Sequence, residues 1–212
     1  MKTPMPVYPK ASRANFPQFE KRQSWLSPLL DAYFITDQGV QEGIKREEKQ
    51  GRKLACGKSC SNCCKTHATI PVYPLELMGM SLYIIEILSG DIRQKLKQQL
   101  KNLSTHQGCP FLIENSCSIH PLRPMACRQF NVFEKPCEET EDAYYSRRHD
   151  VLTPIKKYTD QALDSMLPFY GIKNKAERRK AIKIGQIHQY AKVMRDLSWE
   201  NMLVKMKNFD KQ

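Results

Sequence analysis

Glycine is scarce in this chain, with nine residues in 212, and it contains neither a P-loop nor a GxGxxG turn. Both motifs use glycine to bring backbone N–H groups against phosphates, so their absence argues against most nucleotide-driven enzymes. No apolar run approaches the roughly 18 residues of a membrane span. The stretch Met1–Val7 has prolines where a signal peptide needs a continuous apolar core. We therefore expect a cytoplasmic protein without membrane insertion.

Strand-forming patterns are also few, whereas helical periodicity recurs along the chain. A short extended piece is expected at 69–73, and a small hairpin is expected to join 111–113 to 117–119 through residues 114–116. A helix is expected over 19–54, with breaks near Pro28 and Gly39, and another over 74–89, ended by Gly90. Further helices are expected to begin at a cap on Asp91 and after Pro154, and a last long one is expected over 175–207. These patterns predict a mainly α fold: a small helical domain with irregular cysteine-rich loops and one short hairpin around a metal centre.

The domain organisation follows from composition. Prolines at positions 4, 6, 9 and 17 indicate an extended N-terminal arm over 1–18, and 19–212 is expected to form one helical domain with its cysteine core at about 54–137. The net charge of +12 is uneven, with +4 over 1–55, +1 over 56–150 and +7 over 151–212. A cysteine-rich, nearly neutral centre thus lies between basic segments.

The eight cysteines carry the chemistry. In a reducing compartment, clustered spacing indicates metal binding or redox chemistry before disulfides. The first half of the cluster is Cys-x3-Cys-x2-Cys-Cys, whose small intervening residues let a tight loop turn several thiolates toward one centre. The second half follows the expected hairpin, which would place Cys109 beside Cys117, and a helical turn after Pro124. All eight are predicted metal ligands: Cys56, Cys60, Cys63, Cys64, Cys109, Cys117, Cys127 and Cys137.

These motifs resemble a known family. The first cysteine string, followed by CPFL, C-x-I-H and RPxxCRxF, is similar to the putative zinc- or iron-chelating domain family, also called CxxCxxCC or YkgJ-like. The resemblance covers about 54–132 and includes seven of the cysteines, but not Cys137; His120 stands where the family usually has tyrosine. It implies a metal- or cluster-binding protein of a mostly bacterial family whose biochemical role is unsettled for most members.

Iron–sulfur clusters and zinc both accept four thiolates, so spacing alone does not separate them. Three features favour one or two [4Fe–4S]-type clusters. Adjacent Cys63 and Cys64 diverge too much to fit easily around one tetrahedral ion, Arg123 and Arg128 can offset the charge of a thiolate-bound cluster, and eight cysteines make two sets of four. The expected role is redox, sensing or structural, with an unidentified protein partner.

Three alternatives accompany this hypothesis. A structural zinc centre would make the protein an interaction or nucleic-acid-associated module. The spacing Cys56-x3-Cys60-x2-Cys63 also matches radical-SAM enzymes, but Cys64 is a ready fourth ligand and the chain is too short after Cys56 for a complete barrel. Flagellin lysine methylases carry a similar cysteine cluster, which implies a cluster-containing transferase, although no methyl-donor site is recognisable here. Whether the protein is an enzyme stays open, and catalytic residues are unknown.

Other polar residues receive weaker interpretations. His67 and His120 each follow a cysteine by three residues and could bind metal or support a sulfur, and neutral loop roles are the simpler interpretation. The acidic run Glu138, Glu139, Glu141 and Asp142 is interpreted as a solvated face. The basic C-terminal helices could bind nucleic acid, against the simpler interpretation of a solvated helix face. Their cations are Lys173, Lys175, Arg178, Arg179, Lys180, Lys183, Lys192 and Arg195.

Overall fold

A computed structural model of the protein describes residues 8–57, 60–103 and 108–211. Helices dominate these ranges, so the prediction of a mainly helical fold is confirmed. The α-helices are α1 (Pro17–Arg22), α2 (Leu26–Lys49), α3 (Asn62–Thr66), α4 (Pro74–Leu82), α5 (Gly90–Lys101), α6 (Met125–Gln129), α7 (Ala143–Ser146), α8 (Lys156–Met166), α9 (Lys175–Lys183) and α10 (Glu200–Phe209). Residues 1–7 of the expected N-terminal arm lie outside the described residues.

Two short antiparallel strand pairs accompany the helices. The described strands are β1 (Pro71–Val72), β2 (Leu112–Ile113), β3 (Ser116–Cys117) and β4 (Lys192–Val193). β2 pairs with β3 across a turn at Glu114 and Asn115, both of which have positive φ, and this confirms the predicted hairpin. β1 lies in the predicted extended piece and pairs with β4, with Pro71 opposite Val193.

The first part of the core forms between α2 and α8. Apolar residues recur along α2 at intervals of three and four, and Leu26, Leu29, Leu30 and Tyr33 are buried. A break is present at 23–25, a few residues before Pro28, but the one expected at Gly39 was wrong. Pro28 lies in the first turn, where no intrahelical N–H bond is lost. Gly39 continues the helix and lets α8 approach closely, because a Cβ there would lie 2.6 Å from the Cβ of Tyr158.

The second part of the core gathers α4, α5, α10 and the hairpin. Its buried members include Met80, Leu96, Leu100 and Phe111. The helix expected over 74–89 is shorter, since α4 ends at Leu82 and a π-helical turn follows over Tyr83–Ile87. Ser89 rather than Asp91 occupies the N-cap position of α5. The buried Arg93 guanidinium donates to the carbonyl oxygens of Ile84 (2.6 Å) and Leu88 (3.0 Å), where the irregular turn leaves these acceptors unpaired.

The C-terminal region differs most from expectation. The single helix predicted over 175–207 was wrong: α9 ends at Lys183 and Gly185 has φ of +67°. A 3₁₀ turn, β4 and a second 3₁₀ turn (Met194–Asp196) then lead to α10. Ile187 and Met194 are buried, as the periodicity indicated, but they enter different clusters, and Ile184 is 63% exposed. Pairing of β4 with β1 replaces the helix here.

The helix expected after Pro154 is confirmed and begins at Lys156. Within the described residues, no helix combines the length and the apolar character that a membrane span requires. Two small clusters complete the packing. One joins Val40 and Ile44 of α2 to Leu54, Phe133 and Leu152, and the other consists of Val132, Ala143 and Val151. The cysteine-bearing segments lie against these clusters and against the second part of the core.

Candidate metal centre

Cys56 lies on an extended segment after α2 that runs beside residues 131–134. Leu54 forms an isolated bridge with Phe133, and the Ala55 N–H donates to the Val132 carbonyl oxygen (2.8 Å). The Val132 N–H in turn donates to the Cys56 sulfur (3.2 Å). The sulfur of Cys56 is thereby held by backbone in a position that local sequence does not specify.

Cys137 is brought to the same place by α3. The Asn62 side-chain amide donates to the Cys137 carbonyl oxygen (2.7 Å), and the Thr66 hydroxyl donates to the Glu141 carbonyl oxygen (2.9 Å). Arg147 approaches the Cys137 sulfur from the other side, with an Nη2–Sγ distance of 3.7 Å. The cysteine that the resemblance left without support therefore lies near the first cysteine string.

Arg147 holds this loop together. It is buried and pairs with Glu141 (2.7 Å) and Asp150 (3.2 Å), and it also donates to the Lys135 and Phe133 carbonyl oxygens. The bond to Arg147 lowers the pKa of Glu141 to about 2. Arg147 was not among the residues singled out from sequence, and nothing in its local pattern distinguishes it from a surface arginine.

The hairpin carries two further cysteines. Cys109 donates its N–H to the Cys64 carbonyl oxygen (2.7 Å), so the start of the hairpin is attached to α3. Cys117 lies on β3 opposite Leu112, and the Ile119 N–H bonds to its sulfur. The Leu112 N–H donates to the Cys109 carbonyl oxygen (3.1 Å), which closes the turn between Cys109 and the hairpin.

Cys127 lies on the short helix α6, whose N-terminus is bonded to a buried carboxylate. Glu76 is 0% exposed and accepts from the Met125 N–H (2.7 Å) and from the Tyr73 N–H (3.0 Å). It therefore links the beginnings of α4 and α6. Burial raises the pKa of Glu76 to about 7, against the opposing effect of these two bonds. Glu76 is at the N3 position of α4 and accepts from the N-cap N–H as in a capping box, but the N-cap residue is tyrosine, so the sequence lacks the usual Ser/Thr signature.

The thiols form two neighbourhoods. Burial raises the pKa of Cys56 to about 12, and the charges of Cys60, Cys63 and Cys137 raise it further. Burial also raises the pKa of Cys137, with further contributions from Cys60 and Cys63. We call Cys56, Cys60, Cys63 and Cys137 the first cysteine group.

The second neighbourhood begins at Cys64. A hydrogen bond with Cys109 raises the pKa of Cys64 to about 12, and Cys117 adds to the effect. Burial raises the pKa of Cys127, as do the nearby Cys63, Cys117 and Cys64. We call Cys64, Cys109, Cys117 and Cys127 the second cysteine group. Cys63 lies where the two groups meet. It is hydrogen-bonded to Cys64, and its charge raises the pKa of Cys117 and of Cys127.

The two groups pack on different apolar clusters. Cys109, Cys117 and Cys127 contact the second part of the core, whereas Cys56 and Cys137 contact the small clusters around Phe133 and Val132. All eight cysteines lie within the described residues, and none forms a disulfide. Within those residues, no three His, Cys, Asp or Glu side chains are grouped so that they could hold a metal ion.

The two arginines expected to offset thiolate charge have different surroundings. Arg123 faces the sulfurs, since its charge lowers the pKa of Cys63, Cys117 and Cys127 against the effects that raise it. Arg128 bonds to Asp37 (2.6 Å) and lies 4.2 Å from the Tyr33 ring centroid. Arg123 is therefore the closer counter-charge, and Arg128 mainly ties α6 to α2.

Both candidate histidines have partners. His67 Nδ1 lies 2.9 Å from Asp142 Oδ2, and its ring lies 5.0 Å from that of Phe130. Arg123 lies 2.8 Å from His120 Nε2, and burial lowers the pKa of His120 to about 4. The histidines support the loops that bear the cysteines.

The acidic run is only partly a solvated face. Glu138 is exposed, whereas the side chain of Glu141 is 12% exposed because of its bonds to Arg147. Asp142 is 18% exposed beside His67. The interpretation of the run as solvated was wrong for these two residues, since their partners, Arg147 and His67, come from outside the run.

The basic segment over 173–195 remains largely exposed. The α9 cations face solvent, except Arg178, which pairs with Asp164 (3.2 Å) and is half-buried. Ala181 alone of the α9 residues is fully buried, so this helix contacts the core through a narrow face.

The small helical fold and the eight clustered thiols place the protein in the class of thiol-rich metal-binding proteins. The family model described as "Putative zinc- or iron-chelating domain" (CxxCxxCC) matches residues 55–160, and the chain belongs to this family. The match extends beyond the 54–132 expected from sequence motifs and so includes Cys137. No curated protein and no solved structure matches the chain.

Proposed function

We propose that the eight cysteines bind two iron–sulfur clusters, one in each cysteine group, and that the protein transfers or senses electrons. The observation that supports this most is that the thiols fall into two neighbourhoods, packed on different apolar clusters, that meet at Cys63 and Cys64. A bound cluster supplies reversible one-electron chemistry. The protein residues supply the thiolates, their hydrogen bonds and their counter-charges.

We assign Cys63 to the first group so that each group contains four thiols. The second group already has four thiols without it, and the first group has only Cys56, Cys60 and Cys137 without it. Four thiolates are the usual complement for one cluster. Cys63 and Cys64 are consecutive in α3 and their thiols are hydrogen-bonded, so in this proposal the two groups meet at this pair.

Iron is favoured over zinc by the spacing of the thiols. Around one zinc ion, Zn–S bonds of about 2.3 Å bring every ligand sulfur close to the others. A cluster binds each thiolate through a different iron and so accepts wider spacing.

The surroundings of the sulfurs also suit clusters. Backbone N–H groups of Val132 and Ile119 bond to Cys56 and Cys117, and Arg123 and Arg147 add positive charge. Hydrogen bonds and charge of this kind tune the reduction potential of iron–sulfur clusters. Cluster binding must displace the thiol protons, because burial and neighbouring thiols keep most of these groups protonated.

The first experiment is anaerobic purification followed by iron, acid-labile sulfide and zinc assays on one sample. About eight iron and eight sulfide per chain, with broad visible absorption that bleaches on reduction, is the expected result for two [4Fe–4S] clusters. Half of that content would reduce the proposal to one cluster. Colourless protein with stoichiometric zinc would overturn it.

The alternative is a structural zinc module with a nucleic-acid partner, which the exposed α9 cations favour. Retention on heparin that falls steeply with salt would support such a partner, because phosphate contacts release counterions. A variant with Lys175, Arg179 and Lys183 changed to glutamine is the matched test. Equal elution of parent and variant would remove α9 from any such interface.

A further inference from the structure

A cleft of about 400 Å³ opens beside the second cysteine group. Three parts of the chain meet there: α3, the segment around Cys109, and the approach to α10. The lining includes Lys65, Thr66, Gly108, Pro110, Arg195 and Trp199. A volume of this size is typical of sites for small organic molecules.

The cleft adjoins the proposed cluster ligands through Gly108. This residue has φ of +94°, and a Cβ on it would lie 2.8 Å from the Cys64 carbonyl oxygen. Glycine therefore allows the cleft lining to contact the backbone of α3 directly. A smaller cavity shares Gly108, Pro110 and Arg195 with the cleft and is also lined by Cys109. The cleft thus reaches the immediate surroundings of Cys64 and Cys109.

The cleft is cationic. Lys65 and Arg195 line it, and neither forms an ion pair within the described residues. All 22 Asp and Glu residues of the chain are among those residues, and none of them lines the cleft. Asp196, although adjacent to Arg195 in sequence, is not part of the lining. Two exposed cations without ion pairs among the described residues, both lining the same cleft, favour an anionic occupant.

We propose that this cleft binds a small organic anion, whose carboxylate or phosphate group is held between Lys65 and Arg195. The guanidinium group offers paired donors that match either group, and lysine adds a compact charge. Trp199 and Pro110 supply an apolar wall for the rest of the molecule. The inference rests on the proposed function in one respect: the anion lies next to a metal centre because Cys64 and Cys109 are taken as its ligands.

Isothermal titration calorimetry on the protein as purified tests this site, with inorganic phosphate and citrate as separate probes at constant ionic strength. We expect saturable binding of at least one probe at one site per chain. Lys65→Gln and Arg195→Gln should each weaken it roughly tenfold or more, because each removes a charge-assisted hydrogen bond. Lys21→Gln, which removes an exposed charge from α1 outside the cleft, is the matched control and should change the affinity less than about twofold.

Several results would overturn the proposal. If neither probe binds, or if the parent and both cleft variants bind with equal affinity, the site does not exist. The same conclusion follows if the control variant weakens binding as much as the cleft variants do. Circular dichroism melts verify that the variants are folded. Iron and sulfide assays on the same samples separate the two proposals: clusters without anion binding leave the proposed function intact, and anion binding by a zinc protein leaves only the cleft. The preferred probe distinguishes phosphate-bearing from carboxylate-bearing ligands.

Discussion

The two cysteine groups are supported by different parts of the molecule. Apart from Cys64 on α3, the second group lies on α6 and in the hairpin region, which pack into the core around Phe111, and α6 is bonded at its start by Glu76. Apart from Cys63 on α3, the first group lies on irregular segments held by Arg147, Asn62 and a few backbone contacts. We infer that apolar packing positions the second group, whereas charged and polar contacts position the first. Perturbations should separate them.

The largest effects should come from removing ligands. Cys109→Ser and Cys137→Ser should each lose about half of the bound iron, and the double variant should lose nearly all of it, because each change disables one four-thiolate group. Iron and sulfide analysis after anaerobic purification measures this. Complete loss in either single variant would show that one centre uses both groups. Unchanged iron in Cys137→Ser would exclude that residue as a ligand.

Arg147→Ala should break the support of the first group. It leaves Glu141, whose side chain is 12% exposed, without its cation and the Lys135 carbonyl oxygen without the Arg147 donor. Asp150 keeps Arg52 (2.9 Å), and we expect a loss of about 3 kcal/mol of unfolding free energy. Urea denaturation measures the change in unfolding free energy. The iron content should fall by no more than the amount that one cysteine group binds. Arg46→Ala is the control, since Arg46 is 58% exposed and pairs with Glu42 on one helix, so about 0.5 kcal/mol or less is expected.

Glu76 should impose a pH dependence on the support of the second group. Its pKa is about 7 in the folded protein against an ordinary 4.5, so the folded state retains a proton that the unfolded state loses between these values. Stability should therefore fall as pH rises from about 4.5 to 7, by roughly 3 kcal/mol, and level off above that range. Glu76→Gln should remove this part of the dependence.

Denaturation curves at several pH values, compared between parent and variant, isolate the Glu76 contribution from other titrating groups. Glu86→Gln changes a more accessible carboxylate that pairs with Arg22 and serves as the control. A parent and an E76Q variant with parallel stability profiles would contradict the prediction. If the stability of the parent alone rises with pH through this range, the effect of Glu76 has the opposite sign to the one predicted.

The smallest effect tests the helical frame away from both groups. Gly39→Ala should destabilise the protein by about 1–2 kcal/mol, because its Cβ meets the Tyr158 Cβ at 2.6 Å and the two helices must separate. Gly43→Ala meets only a Leu152 methyl group at 3.0 Å, which can move, and should be close to neutral. Thermal melts compare them. Equal losses would show that the α2–α8 approach is not limiting, and iron content should stay unchanged in both.

Local patterns were sufficient for some elements and misleading for others. The hairpin and α8 were predictable because their turn residues, caps and periodicity are all within a few positions. The stripe that includes Ile187 and Met194 indicated one long helix, yet Gly185 ends α9 and β1 offers β4 a strand partner. Periodicity reports which residues are buried, but two short segments can satisfy the same spacing.

The sequence by itself determined the helical class, the presence of a thiol-rich metal-binding segment and the identity of its cysteines, because these depend on composition and short-range spacing. The tertiary structure alone decided which thiols are neighbours. Cys137 is held by Asn62 and Cys56 by Val132, and Lys65 and Arg195 line one cleft. Such contacts join residues far apart in the chain, and their free energy comes from the packing of α3, the hairpin and the core rather than from any local preference.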